Sequence, residues 1–332
     1  MSGSRIPPLH LVVGSGSIGS AIARRLLAQG ARVKVLTRSG TGPEGCELVR
    51  GDASDAAFMA STCEGVSALY NCVNPPYHRW ALEWPPINHS LIEAAASSGA
   101  VLVTIANIYG YGSADTSIGE RAYDNAHPMT EDTPLAATFI KGQVRARMWH
   151  EQREAFDAGR ANVVEVRASD YIGPCADSVV GARFIPRVLA GKSVTTVGRS
   201  DVAHTFTYTE DVARLAVVVG TDPRAWGHAW HTPSNAPRTQ QQVANDVAAY
   251  AGVARVRVRT LPFAVLYGLG FFSRLLREIR QTEYQFRGDF VMDSSLAQTT
   301  FDLAPTPWSE VIAATVASYA DPQPQRTKEA VR

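Results

Sequence analysis

The chain has little lysine, little cysteine and no surplus of charge. Only four of its 32 basic residues are lysine (Lys34, Lys141, Lys192 and Lys328), and acidic residues number 31, which leaves a net charge of +1 over 332 residues. So balanced a surface generates no broad field to gather phosphate polymers or acidic lipid, so neither nucleic acid nor a membrane is an expected partner. Cys46, Cys63, Cys72 and Cys175 include no C-x-x-C pair. Neither a zinc knot nor a disulfide framework is therefore expected, and a reducing cytoplasm fits. The stretch before Leu9 has no signal-peptide core, and no apolar run approaches the ~18 residues that a bilayer-spanning helix needs. What is present is 45% hydrophobic residues, enough for a packed interior, which excludes disorder for most of the chain.

Short apolar runs alternate with helical patterns through the first half, the signature of βα units feeding a parallel sheet. Strands are expected at Leu9–Val13, Arg32–Thr37, Cys46–Arg50, Ala68–Cys72, Val101–Ile105 and Asn162–Arg167. The clearest helix is Ser17–Gln29, where Ile18, Ala21, Ile22 and Leu26 form one apolar stripe before Gly30 stops it. A long helix is expected from about Pro134 to Ala158, carrying Lys141, because proline suits a first helical turn and Gly159 follows as a stop. The predicted fold is α/β: a Rossmann-type doubly wound parallel sheet with a smaller C-terminal substrate lobe. Residues 1–170 plus about 204–231 would form the nucleotide-binding domain and residues 171–203 plus about 232–320 the lobe. The Pro- and Gln-containing tail, 321–332, would be flexible.

The first strand runs directly into Gly14-Ser15-Gly16-Ser17-Ile18-Gly19 and then into a helix. That context gives the G-x-G-x-x-G pattern its meaning: free amides and the positive dipole end of a helix face a pyrophosphate, and glycines remove the side chains that would block it. NAD-selective sites place an acid at the end of the second strand to accept from the ribose hydroxyls. Here that position reads Thr37-Arg38-Ser39. A guanidinium and hydroxyls suit a 2′-phosphate, so NADP(H) is expected to be preferred over NAD(H).

Gly14–Gly19, Gly51-Asp52, Ile108-Tyr109-Gly110, Lys141, Arg167-Ala168-Ser169-Asp170-Tyr171-Ile172-Gly173-Pro174 and Thr209-Glu210-Asp211-Val212-Ala213 together resemble the extended short-chain dehydrogenase/reductase superfamily in its NAD-dependent epimerase/dehydratase branch. The C-terminal Tyr284-Gln285-Phe286, Asp293-Ser294-Ser295 and Pro305-Thr306-Pro307-Trp308 are similar to a branch called atypical. The resemblance implies that Asp52, with Ala53 beside it, contacts the adenine amino group. It also implies that Asn71, Cys72, Val73 and Asn74 line the cofactor, that Lys141 holds the ribose, and that the loop near Ala168–Asp170 borders the nicotinamide.

One departure limits what the resemblance carries. The family's proton relay uses a Tyr four residues before the helical Lys and a Ser or Thr near the end of the fifth strand. Ala137 and Ile105 occupy those places, Thr104 lies one residue early and Asn107 two late, and no Tyr-x-x-x-Lys exists anywhere. Lys141 nevertheless stands out in so arginine-rich a chain as an ammonium with a specific task. The substitute proton donor is sought among Tyr109, Tyr111, Tyr123 and His127. Tyr111 comes first because it follows the strand end closely; Tyr109 is given a packing role, and Asn107 could donate its amide to a carbonyl.

Other features read blandly. Tyr77, His78, Trp80 and Trp84, with Pro75-Pro76 and Pro85-Pro86, could border a substrate or merely stiffen a loop. His228 and His231 fall on opposite faces of one strand, a poor metal pair, and no metal is expected. Phe271-Phe272 and Leu275-Leu276, with Arg274, Arg277 and Arg280, read as an amphipathic helix lining either the substrate lobe or a homodimer seam. Three functions stay open: an oxidoreductase using NAD(P)(H) on a small carbonyl, alcohol or sugar-like molecule; a non-redox isomerase, cyclase or dehydratase; and an inactive NADP-binding regulator.

Overall fold

The computed structural model describes residues 7–112, 127–174, 176–261 and 283–320. Tyr123, Cys175, the amphipathic stretch 271–280 and the tail 321–332 lie outside the described residues.

The leading half forms β1 (Leu9–Val13), α1 (Ser17–Ala28), β2 (Arg32–Thr37), β3 (Glu47–Arg50), α2 (Ala56–Thr62), β4 (Val66–Asn71), α3 (Trp80–Ser98), β5 (Val101–Asn107), α4 (Ile140–Asp157) and β6 (Val163–Ala168). Then follow β7 (Asp170–Ile172), α5 (Ile185–Leu189), β8 (Val194–Val197), β9 (Phe206–Tyr208), α6 (Thr209–Val219), β10 (Ala229–His231), α7 (Gln240–Ala251), β11 (Val258–Leu261), α8 (Ser295–Phe301) and α9 (Trp308–Ala320). Seven parallel strands form the main sheet in the order β10-β6-β5-β4-β1-β2-β3. The chain reverses its direction of winding between β1 and β4, which opens a crevice at their carboxyl ends.

Both faces of this sheet are covered, which explains why its strands read as near-continuous apolar runs. On one face Ile18, Ile22 and Leu26 of α1 and Val212, Leu215 and Val219 of α6 close over Val12, Val35, Tyr70 and Val103. On the other, Trp84, Leu91 and Met148 of α3 and α4 close over Leu11, Leu69, Leu102 and Val163. A third core, with Ile172, Phe184, Ile185, Val188, Val243, Val247 and Val311, gathers α5, α7 and α9. The parallel pairs β8–β11 and β7–β9 belong to this part of the chain. Among the described residues no helix is long and apolar enough to cross a membrane.

The expected strands form, β1 and β2 with the expected bounds and the other four with ends shifted by one or two residues, and two expectations need correction. The long helix begins at Ile140, not near Pro134. Residues before it are claimed by the turn after β5: the Ala137 amide donates to the Gly110 carbonyl at 3.1 Å, and the chain passes so close that a Cβ on Gly112 would lie 2.8 Å from Ala137 Cα. Pro85 and Pro86, expected in a loop, sit inside α3. They lie on its exposed side, as do Ala81 and Leu82 one turn earlier, so the carbonyls that lose an amide partner meet water. Burial of Trp80, Trp84, Ile87 and Leu91 on the opposite side holds the helix together.

Candidate active site

The glycine loop joins β1 to α1 at the crevice. Gly14 has φ of 96°, and a side chain there would lie 2.7 Å from the Cys72 carbonyl oxygen. Its amide donates to the Leu36 carbonyl at 2.8 Å, tying the turn to β2. Gly19 packs against the same turn, where a Cβ would come 2.0 Å from the Gly14 oxygen. Gly16 differs: nothing lies within 4 Å of where its Cβ would be. It is the N-cap of α1, with no side-chain cap and no acid in the first turn. Two glycines thus shape the turn while the third leaves open space before bare amides and the positive end of a helix dipole. Ile18 faces the core, Ser17 opens the helix, and the Ser15 hydroxyl donates to the Thr41 carbonyl at 3.0 Å, joining this loop to the segment after β2.

That segment brings hydroxyls together. Thr37 and Ser39 lie 3.4 Å apart, Ser39 and Thr41 2.6 Å, and the Thr41 amide donates to the Thr37 hydroxyl at 2.9 Å. Arg38 is exposed among them. Across the edge, Asp52 Oδ1 accepts from the amide and hydroxyl of Ser54 at 2.9 and 2.8 Å. These bonds, with a smaller contribution from the charge of Arg38, hold its carboxyl below the ordinary range. Ala53 is buried behind it.

At the end of β4, Asn71 is fully buried. Its Oδ1 accepts from the Val73 amide at 3.2 Å, and its Nδ2 makes no hydrogen bond. The Cys72 backbone closes against β1 through a bond to the Val13 carbonyl at 2.9 Å. Asn71, Thr104 and Glu165 are register neighbours on β4, β5 and β6. They form a polar row on the α4 side of the sheet, since neighbours in a parallel ladder share a face. Thr104, like Asn71, is wholly buried, and its hydroxyl makes no hydrogen bond.

Lys141 is 2% exposed at the start of α4, and its ammonium lies 4.3 Å from the centre of the Tyr77 ring. The Tyr77 hydroxyl is 3.3 Å from that of Tyr109. Burial, followed by the influence of Tyr77 and of the Asp170 carboxylate, pushes the Tyr109 phenol well above its ordinary value, so it keeps its proton. The Asn107 side-chain Oδ1 accepts from the Tyr109 amide at 3.1 Å, which fixes this turn. Lys141, Tyr77 and Tyr109 thus meet beside Asn107. Sequence reasoning named Tyr77 but did not connect it with Lys141, because the two are distant in sequence and Tyr77 precedes an unforeseen helix.

Tyr111 has a different environment. It is fully buried; Arg167 Nη1 donates to its hydroxyl at 2.7 Å, and that hydroxyl lies 2.6 Å from His231 Nε2. Since the guanidinium only donates, the Tyr111 hydroxyl donates to Nε2, and the His231 Nδ1–H donates to the Asp293 carbonyl at 2.6 Å. Burial, which the backbone bond opposes, brings the imidazole pKa down to about 3 and keeps it neutral. Burial also raises the Tyr111 phenol to about 12 although Arg167 opposes it. Arg167 Nε is paired with Glu165 at 2.7 Å, and the His231 amide donates to Glu131 at 2.9 Å. Tyr111, the first-choice proton donor, is thus buried with its hydroxyl held between Arg167 and His231, and His231 is buried where His228 is exposed.

One turn beyond Lys141, Arg145 is 6% exposed with its guanidinium 4.7 and 4.4 Å from the rings of Trp80 and Trp84. Its Nε and Nη1 make no hydrogen bonds, and burial lowers its pKa. Sequence reasoning missed it, although its four-residue spacing from Lys141 put both on one helix face.

A pyridine dinucleotide fits these residues, since the space at Gly16 and the bare first turn of α1 provide a cradle that any side chain there would fill. The sequence profile of the NAD dependent epimerase/dehydratase family matches residues 10–231. A curated relative, dTDP-6-deoxy-L-talose 4-dehydrogenase (NAD(P)(+)) of Kitasatospora kifunensis, is 29% identical over 187 residues, 52% of this chain and 56% of that protein, so the match spans about half of its length. Among solved structures, dTDP-glucose 4,6-dehydratase from Bacillus anthracis in complex with NAD is similar at a TM-score of 0.74 and 15% identity, covering 94% of this chain and 96% of that one. UDP-glucose 4-epimerase from Thermus thermophilus, also with NAD, gives a TM-score of 0.72 at 19% identity, covering 95% and 100%. At such identities these structures establish the fold alone: a Rossmann-like parallel sheet flanked by helices. With the profile matching residues 10–231, about two thirds of the chain, and taking in the whole glycine loop, the chain belongs to the NAD dependent epimerase/dehydratase family of enzymes.

Proposed function

We propose that the protein is an NADP(H)-dependent oxidoreductase acting on a small carbonyl, alcohol or sugar-like substrate. The observation that carries this reading is the open cradle at Gly16 together with Arg38, Ser39 and Thr41 at the end of β2, where an acid would favour NAD. The pyrophosphate would rest on the α1 amides of Ser17, Ile18 and Gly19 with Ser15 alongside. The 2′-phosphate would meet Arg38 and Ser39, Asp52 and Ala53 would border the adenine, and Asn71, Cys72 and Val73 would flank the cofactor's path. Lys141 would hold the nicotinamide ribose, and Asp170 would border the reacting end. When bound, the nicotinamide supplies or accepts a hydride.

The proton has a different assignment from the one the sequence favours. Tyr109, with Tyr77, stands beside Lys141, whereas the Tyr111 hydroxyl is held by Arg167 and His231. We assign the proton-donating hydroxyl to the Tyr77–Tyr109 pair, with the Lys141 charge favouring a developing oxyanion and Asn107 Nδ2 directed to the substrate oxygen. Thr104 remains a second-rank candidate beneath them. Calorimetry with NADPH and NADH, followed by NADPH consumption across a panel of carbonyl compounds and dTDP- and UDP-sugars, tests the reading. Tighter NADPH binding with net oxidation supports it; equal or weaker NADPH binding refutes the coenzyme assignment.

Relatives whose names are epimerase and dehydratase favour a second reading, in which hydride is taken and returned within one turnover. Product formation without net NADPH consumption identifies that case. Binding without any turnover identifies a regulator. The apolar residues Leu82 and Ile140, exposed by 75% and 56% on neighbouring helices α3 and α4, fit a homodimer seam, which light scattering tests. The free thiols of Cys46, Cys63 and Cys72 accord with a reducing cytoplasm.

A further inference from the structure

The turn after β2 folds back against the edge strand β3 and meets Arg50, the last residue of that strand. Gly40 permits the approach. Its φ is 70°, and a Cβ there would lie 3.2, 3.7 and 3.8 Å from Cβ, Cγ and Cδ of Arg50, so the arginine stem runs alongside the glycine. The register agrees, for Arg50 is the ladder partner of Thr37, and such neighbours in a parallel sheet share a face. The Gly51 amide donates to the Thr37 carbonyl at 3.2 Å and draws the two strand ends together. Thr37 is also the residue whose hydroxyl meets the Ser39 hydroxyl and the Thr41 amide. The Arg50 stem and the hydroxyl cluster therefore occupy one corner.

Arg50 is exposed, as is Arg38, so solvent space lies open before both. Neither forms an ion pair with a described residue. The nearby acids are disposed elsewhere: Glu47 lies 3.7 Å from Lys34, Asp52 accepts from Ser54, and Glu44 is exposed in the turn. Two unpaired guanidinium groups beside three hydroxyls match one kind of ligand. A phosphate monoester carries about −1.5 to −2 charges near pH 7 and three terminal oxygens. A single guanidinium leaves roughly half of that charge uncompensated, and a second brings the site close to neutrality. A ribose hydroxyl needs no cation at all.

We infer that Arg50 is a second specificity-determining residue for the coenzyme, acting with Arg38 on the 2′-phosphate of NADP(H) from the β3 side of the turn. The inference rests on the coenzyme reading proposed above and extends it to a strand that the usual position, at the end of β2, does not include. Arg50 binds and discriminates; no bond is made or broken there.

The test is calorimetry on the whole protein with two matched pairs of probes: adenosine 2′,5′-bisphosphate against 5′-AMP, and NADPH against NADH. Wild type should bind the 2′-phosphorylated member of each pair more tightly. Arg50→Gln should weaken that member by roughly five- to tenfold and the other by less than twofold. Its melting temperature should not change, since the side chain is exposed and unpaired. Arg50→Lys keeps the charge without the planar fork and should fall between the two. Raising salt from about 0.05 M to about 0.5 M should narrow the preference more in wild type than in Arg50→Gln. If Arg50→Gln keeps the wild-type preference, the inference is overturned and the coenzyme reading stands. Equal losses for both members of each pair also overturn it, because Arg50 then does not touch the 2′-phosphate. Wild type without preference in either pair refutes the coenzyme reading itself, and this inference with it.

Discussion

The Tyr111 hydroxyl stands 2.6 Å from His231 Nε2 and joins the end of β5 to the edge strand β10. It is one link of a chain running from Glu165 through Arg167, Tyr111 and His231 to the Asp293 carbonyl. Removing the hydroxyl in Tyr111→Phe leaves a buried guanidinium N–H and an imidazole nitrogen unbonded, with an expected destabilisation of ~1–3 kcal/mol. Urea unfolding should show a lower midpoint at unchanged slope, with NADPH affinity and turnover kept. A large loss of turnover in the folded variant would return Tyr111 to the chemistry.

The same histidine makes stability depend on pH. In the fold its pKa is brought down to about 3, chiefly by burial, against 6.5 for the free side chain. Between these values the unfolded chain binds a proton that the native state does not. This contribution is therefore complete above pH 6.5 and drains away as pH falls towards 3, at up to ~1.4 kcal/mol per pH unit. Glu131, its carboxyl raised by burial, acts in the opposite sense over part of that range. Comparing urea midpoints of wild type and His231→Gln from pH 7 to pH 4 isolates the histidine: the variant is less stable at pH 7 and loses less on acidification. Parallel curves would contradict this.

Gly14 and Gly16 should respond in opposite ways. At Gly14 a side chain meets positive φ and a carbonyl at 2.7 Å, so Gly14→Ala is expected to lower the melting temperature. At Gly16 it enters open space, so Gly16→Val should fold normally yet lose pyridine nucleotide affinity by at least tenfold, because its branches occupy the cradle. Thermal melts and NADPH fluorescence titrations on both variants separate the two roles. Tight NADPH binding by Gly16→Val would remove the cradle.

For coenzyme choice, Arg38→Ala removes the cation proposed to meet the 2′-phosphate. A charge-assisted bond of ~1.5–3 kcal/mol corresponds to roughly 10- to 150-fold weaker NADPH binding. NADH affinity should change by less than twofold. Equal losses for the two coenzymes would show that Arg38 does not distinguish them.

The sequence exposed the frame of the site more readily than its interior. The glycine loop and first six strands were legible because both depend on local patterns: a fixed spacing at a strand–helix junction, and short apolar runs, buried on both faces in the inner strands though not in the edge strand β3. The start of α4 was not, since Ala137 gives its amide to Gly110 across a loop, a competition invisible in residues 134–140 alone. Nor was the helical state of Pro85 and Pro86, which depends on two tryptophans finding a core below and water above. The meeting of Tyr77 with Lys141 was hidden for a similar reason. Nearness along the chain favoured Tyr111, but the side chain that reaches Lys141 comes from Tyr77, before α3. Likewise, Arg50 and Gly40 belong to different elements, and only the folded turn brings the arginine stem alongside the glycine.

The Tyr77–Tyr109 contact poses the remaining question about proton transfer. The two hydroxyls are 3.3 Å apart and Lys141 lies against the Tyr77 ring, so either phenol could face the substrate oxygen with the other as its hydrogen-bond partner. The two cases differ in kinetics. The phenol that gives the proton contributes ~10²–10⁴-fold to the chemical step, whereas its partner only orients it. Tyr109→Phe is expected to lower the single-turnover rate of hydride transfer by at least 100-fold with NADPH affinity unchanged, because Tyr109 is the more enclosed of the pair and is held by Asn107 at its backbone. Tyr77→Phe keeps the ring under Lys141 and should reduce the rate by less than tenfold. Stopped-flow traces of NADPH oxidation with a substrate returned by the turnover panel give both rates. The reverse order would make Tyr77 the donor, and two small effects would exclude the pair.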